Sequence, residues 1–120
     1  MHMYSRELLD HFEHPRNAGE LPGADAQVRL ENPACGDMLE LAVNLIGDRI
    51  AEIRFRAKGC VPAMACASAL TELAKGRAIE DARAIAKEDV TRAVGGLPAA
   101  SGHAAQLAID ALRAVLDREP

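Results

Sequence analysis

The chain has no tryptophan and, in 120 residues, an aromatic content of only 2%. Tyr4, Phe12 and Phe55 are the whole aromatic complement. Aliphatic side chains and many alanines must therefore fill any interior, and no platform exists for stacking bases. There is no excess of positive charge either. Fourteen Lys and Arg are scattered among eighteen Asp and Glu, for a net charge of -4, which leaves no electrostatic footprint for a phosphate backbone. No stretch approaches the roughly 18 consecutive apolar residues of a membrane span. The opening MHMYSRELLDHFEHPRN is too charged for a signal sequence, so a cytoplasmic address is expected. A paired CxxC is also missing. The three cysteines, Cys35, Cys60 and Cys66, are an odd number at irregular spacing, which disfavours a disulfide framework and favours reduced thiols.

What is present is enough apolar character, 49%, to bury one core, so residues 1–120 are read as a single domain. Ser5 is placed to cap a helix that runs to about His14, and Pro15 ends it. Asn17, Gly19, Pro22 and Gly23 mark a loop, and a short strand is expected near Gln27 to Glu31. From Met38 to Ile46, Leu39, Leu41, Val43 and Leu45 alternate with Glu40, Ala42 and Asn44, the period-two pattern of a strand with one buried face. After Gly47-Asp48-Arg49, the alternation of Ile53, Phe55 and Ala57 with Glu52, Arg54 and Arg56 gives a second strand and an antiparallel hairpin.

Pro62 then suits the first turn of a helix reaching about Lys75, apolar and small all round in its first half and so expected to be buried. Short helices are expected at Ile79 to Ile85 and Glu88 to Val94. Gly95-Gly96-Leu97-Pro98 breaks the pattern, and Ser101 is expected to cap a last helix to about Arg118, buried along Ala104, Leu107, Ala108, Ala111, Leu112 and Val115. The fold class that results is α+β: a small antiparallel sheet with helices packed on one face.

Three segments carry donors beside turn residues: Pro33-Ala34-Cys35-Gly36-Asp37, Lys58-Gly59-Cys60 and Ser101-Gly102-His103-Ala104. The hairpin should bring Cys35, before one strand, and Cys60, after its partner, to one end of the sheet. Two thiols, a carboxylate and an imidazole would suit zinc or iron. Each residue also has a plainer reading. Cys35 and Cys60 could be buried apolar thiols, Asp37 a turn residue, and His103 a solvated ring in a first helical turn. Cys66 shares a helical face with Ala63, Leu70 and Leu73 and reads as core. His11 and His14 read as surface or capping residues, and Arg54, Arg56 and Lys58 as the solvated face of a strand.

Taken in order, the segments resemble the U-type iron-sulfur cluster scaffold proteins, the IscU/NifU N-terminal family. The resemblance runs through Tyr4-Ser5, Asp10-His11-Phe12, Pro15-Arg16-Asn17, Asn32 to Asp37, Lys58-Gly59-Cys60, Leu70 to Gly76, Leu97-Pro98, His103 and Ala108 to Ala111. It implies an IscU/NifU-like fold and a site at Cys35, Asp37, Cys60 and His103 holding iron or a nascent [2Fe-2S] cluster, or zinc in the resting form. It further implies a non-enzymatic carrier, a cysteine desulfurase as sulfur donor and apoprotein acceptors. Because each chain offers only two well-placed thiols and a [2Fe-2S] unit commonly uses four, a homodimer when cluster-bound is a further expectation.

The chain also departs from the family pattern. Ala104 stands where the family has its third cysteine, implicated in receiving persulfide sulfur. Leu97-Pro98-Ala99-Ala100-Ser101 lacks the lysine of the tract read by a dedicated Hsp70-type chaperone, so that partner is not expected. Cys60 to His103 is too short for the insertion of the zinc-dependent sulfurtransferase branch. The alternative within the same fold is a zinc-binding adaptor or regulator that has lost scaffold chemistry.

Overall fold

The computed structural model describes residues 3–33 and 36–118. The elements in chain order are α1 (Arg6–Glu13), β1 (Ala26–Asn32), β2 (Asp37–Ile46), β3 (Arg49–Lys58), α2 (Val61–Ala74), α3 (Ile79–Arg83), α4 (Lys87–Ala93), a 3-10 turn (Ala99–Ser101) and α5 (Gly102–Asp117). The three strands form one antiparallel sheet in the order β1-β2-β3. Its inner face carries Val28, Leu39, Leu41, Val43, Ile53 and Phe55, and α2 and α5 cover that face. Helices on one face of a small sheet is thus the architecture observed.

The hairpin follows from its alternation and its turn. Leu41 pairs with Phe55 and Val43 with Ile53, so the apolar residues of both strands fall on one side. Gly47, at φ +60°, takes the first central position of the two-residue connection, where glycine fits the tight turns that join twisted strands. The loop before β1 is less idle than its composition suggests. Phe55 donates its N–H to the Asn17 carbonyl at 3.0 Å, and Gly19 donates to the Phe55 carbonyl at 2.9 Å. At the other end, Ile50 and the Arg77 and Gly76 backbone exchange bonds of 2.8 Å. The outer edge of β3 is therefore occupied at both ends, which blunts an otherwise open strand edge.

α2 is buried nearly all round, as its composition requires. Ala63, Ala65, Cys66, Ala67, Ala69, Leu70 and Ala74 are buried, and their small side chains let α1, α5 and β3 approach the same helix. At α1, the Ser5 hydroxyl accepts the Leu8 N–H at 3.0 Å, the cap expected, and also donates to the Val94 carbonyl. Ser101 does not behave in this way. It closes a 3-10 turn with φ -109° and ψ 10° and makes no side-chain cap bond, because that backbone lacks the extended conformation that aims a cap oxygen at the first amides.

His11 also departs from expectation. It is buried, at 6% exposure, rather than a surface residue. Its Nδ1 lies 2.8 Å from the Ser68 hydroxyl, which itself accepts the Arg16 N–H at 2.8 Å. On the other side of the ring, Nε2 lies 3.7 Å from Glu72 Oε1. The single Thr71 hydroxyl proton is shared between the Ser68 carbonyl at 2.7 Å and the Arg16 carbonyl at 3.1 Å. The loop after Pro15 is thus fastened to α2 by polar groups, and no periodicity in α1 announces it.

Burial holds the His11 imidazole below its ordinary pKa of 6.5, and the Arg16 cation adds to this, against the carboxylates of Glu72 and Asp10. The unfolded chain then binds the proton more readily than the folded one. The stabilisation is complete above pH 6.5 and is lost as pH falls below it, toward and through the lowered folded value. Urea midpoints measured at about pH 7.5 and about pH 5 should therefore fall with acid, and His11→Gln should flatten that fall.

Candidate metal centre

The β2–β3 register builds the site. Met38 pairs with Lys58, so Asp37, the first residue of β2, lies beside Gly59 and Cys60, which follow β3. The chain reverses before Asp37 at Gly36, with φ +75°, and swings into α2 at Gly59, with φ +140°. Such left-handed conformations favour glycine over residues with a Cβ. Cys60 is the N-cap residue of α2 but makes no side-chain cap bond. The oxygen comes instead from Asp37, whose Oδ1 accepts the Cys60 N–H at 3.1 Å. Asp37 is therefore not a turn residue bonding its immediate neighbours. It is a strand residue that caps a helix beginning more than twenty positions later.

The second carboxylate oxygen faces two other donors. Asp37 Oδ2 lies 3.5 Å from Cys60 Sγ and 3.5 Å from His103 Nε2. One ligand atom from each of Asp37, Cys60 and His103 falls within 4.8 Å of the others. Asp37 is buried at 1% exposure, Cys60 is exposed, and the His103 side chain is 38% exposed. The carboxylate thus forms the floor, with thiol and imidazole open to an incoming ion. A thiolate, an imidazole and a carboxylate are donors that zinc and iron accept, and three of them fall one short of a tetrahedral set. Cys35, the remaining sequence candidate, lies outside the described residues.

Ala104, next to His103 on α5, is buried at 1% exposure and packs in the core. Its methyl offers no donor. Cys66 is fully buried within α2, as its helical spacing implied, and burial, with the nearby Cys60 adding to it, pushes its thiol up to about 12. Arg56 is held by Glu40 at 2.9 and 3.1 Å and by Glu20 at 2.9 Å, while Arg54 pairs with Glu52. Two cations of the β3 tract are accordingly neutralised by their own sheet and loop.

The chain has known relatives. Residues 3–118 match the NifU-like N terminal domain family. The chain belongs to that family. It is 43% identical over 116 residues to the iron-sulfur cluster assembly scaffold protein IscU 1 of Archaeoglobus fulgidus, covering 96% of this chain and 76% of that protein. It is 36% identical over 117 residues to the iron-sulfur cluster assembly scaffold protein IscU of Escherichia coli K12, covering 94% and 91%. In fold, the NifU-like protein (N-terminal) from Brucella abortus superposes with a TM-score of 0.79 at 16% identity, over 96% of this chain and 92% of that one. Among the described residues of this NifU-like chain, no helix is long and apolar enough to cross a membrane.

Sequence spacing alone missed Gly59 and the capping role of Asp37, because both depend on a contact between chain segments far apart in sequence. The tight Lys58-Gly59-Cys60 exit from β3 was the only local trace. The two described thiols should differ sharply in reactivity, since only a thiolate is a good nucleophile. Brief alkylation of the native protein at neutral pH, followed by peptide mapping, should modify Cys60 and leave Cys66 unmodified. Cys66→Ser should lower unfolding stability by roughly 1 to 3 kcal/mol, the cost of a hydroxyl in an apolar site.

Proposed function

We propose that this chain is an iron-sulfur cluster assembly scaffold that holds iron or a nascent [2Fe-2S] cluster at Cys60, His103 and Asp37, with Cys35 completing the set, and passes it to apoproteins. The observation that carries this reading is the convergence of Asp37, Cys60 and His103 within 4.8 Å on a buried carboxylate floor. The scaffold names of the Archaeoglobus and Escherichia relatives support it. The role is that of a carrier rather than an enzyme, with a cysteine desulfurase as sulfur source.

The donor set suits cargo that must leave. A hard carboxylate oxygen binds soft cluster iron less well than thiolate does, so Asp37 is the ligand to exchange first. Cys60, exposed at the start of α2, lies where the helix N-terminus favours an anion. With Ala104 in place of a third thiol, sulfur acceptance falls to Cys60 or Cys35. A cluster bridged between two chains would draw two thiols from each, which is the number a [2Fe-2S] unit commonly uses.

The loss of a donor at Ala104 also favours a second reading, a zinc-holding adaptor in which Cys35, Asp37, Cys60 and His103 close a tetrahedral site. Anaerobic reconstitution with iron, sulfide and a desulfurase separates the two. The scaffold reading expects visible charge-transfer absorption that is lost in Cys60→Ser and kept in Cys66→Ser. Stoichiometric zinc that resists replacement by iron and sulfide would establish the adaptor instead. Equal loss in both cysteine variants would overturn the ligand assignment.

A further inference from the structure

Gly59 combines two properties that no other glycine among the described residues shares at the site. Its φ of +140° disfavours a side chain whatever the space around it. The space is also taken. A Cβ built at Gly59 would lie 2.7 Å from Cγ and 3.1 Å from Cα of Asp37, and closer still to Oδ1. The other glycine that leads into the site, Gly36, has nothing within 4 Å of the corresponding position. The buried Asp37 carboxylate therefore occupies the volume a side chain at Gly59 would need.

We propose that Gly59 is a positioning residue of the metal centre: the missing side chain is the seat of the Asp37 carboxylate. Seated there, the carboxylate is divided. Oδ1 bonds the Cys60 N–H at 3.1 Å and fixes the first turn of α2. Oδ2 faces Cys60 Sγ and His103 Nε2, each at 3.5 Å. A metal held here takes Asp37 through Oδ2 alone, because engaging both oxygens would compete with the amide bond that holds the helix. One-oxygen ligation is the arrangement most readily exchanged, which deepens the scaffold reading and rests on it. A side chain at Gly59 would displace the carboxylate and so act on metal binding through another residue.

A double-mutant cycle with cobalt(II) as the probe tests this, using Gly59→Ala, Asp37→Ala and the double variant. The strain of a positive φ is common to both backgrounds, so the cycle isolates the clash with the carboxylate. Gly59→Ala should weaken cobalt binding by about tenfold or more, the scale for lost support of a ligand. The thiolate-to-cobalt band should persist at saturation, since Cys60 remains. In the Asp37→Ala background the same change should cost little. Wild-type affinity in Gly59→Ala, an equal fold-loss in both backgrounds, or loss of the thiolate band at saturation would overturn the positioning role.

If the wild-type protein binds no cobalt, zinc or iron, the scaffold reading fails separately. The cycle is then read from urea midpoints of the metal-free proteins. Gly59→Ala should lower the midpoint less when Asp37 is alanine than when it is present, and additivity of the two changes would overturn the proposal.

Discussion

The pairing register of β2 with β3 is the constraint on which the rest depends. Side chains alternate across a sheet, so a slip of one residue would put Leu39, Leu41 and Val43 on the opposite face from Ile53 and Phe55, and one set or the other would leave the core. The same slip would part Asp37 from Gly59 and Cys60, because Met38 opposite Lys58 is what sets those residues side by side. Core and site are therefore secured by one alignment. The hydrophobic effect fixes the register, and the site inherits it.

With almost no aromatic volume, the interior relies on close approach. α2 presents alanines to three neighbours, and α5 adds Ala104, Ala105, Ala108 and Ala111 to the same core. Small side chains bring backbones near one another, which is how α1, α5 and β3 all come to pack on α2. They also leave little tolerance for added atoms. The polar fastening of His11, Ser68 and Thr71 supplies direction in a region where apolar contact alone would not set the path of the loop.

The electrostatic arrangement separates two faces of the sheet. On the outer face, Arg56 is drawn to Glu40 and Glu20, and Arg54 to Glu52, pairs that range from exposed to half-buried and neutralise the cations of β3 locally. At the strand ends beside α2 and α5, a single carboxylate is buried and committed to an amide, a thiol and an imidazole. Burial without hydrogen bonds would be costly for that carboxylate. Its partners explain why it persists in the interior.

The element types, the hairpin and the burial of Cys66 and of α2 were legible in the sequence, because period and turn chemistry are local properties of the chain; Asp37, Cys60 and His103 stood out as candidate donors through the ordered family motifs rather than through spacing. The burial of His11 was not legible there, since Ser68 lies 57 positions away. Ser101 showed the limit from the other side: a good capping residue makes no cap when the preceding turn holds its backbone away from the extended form. That Asp37 caps α2 and that Gly59 must be bare to admit it emerges only in the folded chain. Both follow from a contact across 23 residues, where distance in the chain says nothing about distance in space until the strands have paired.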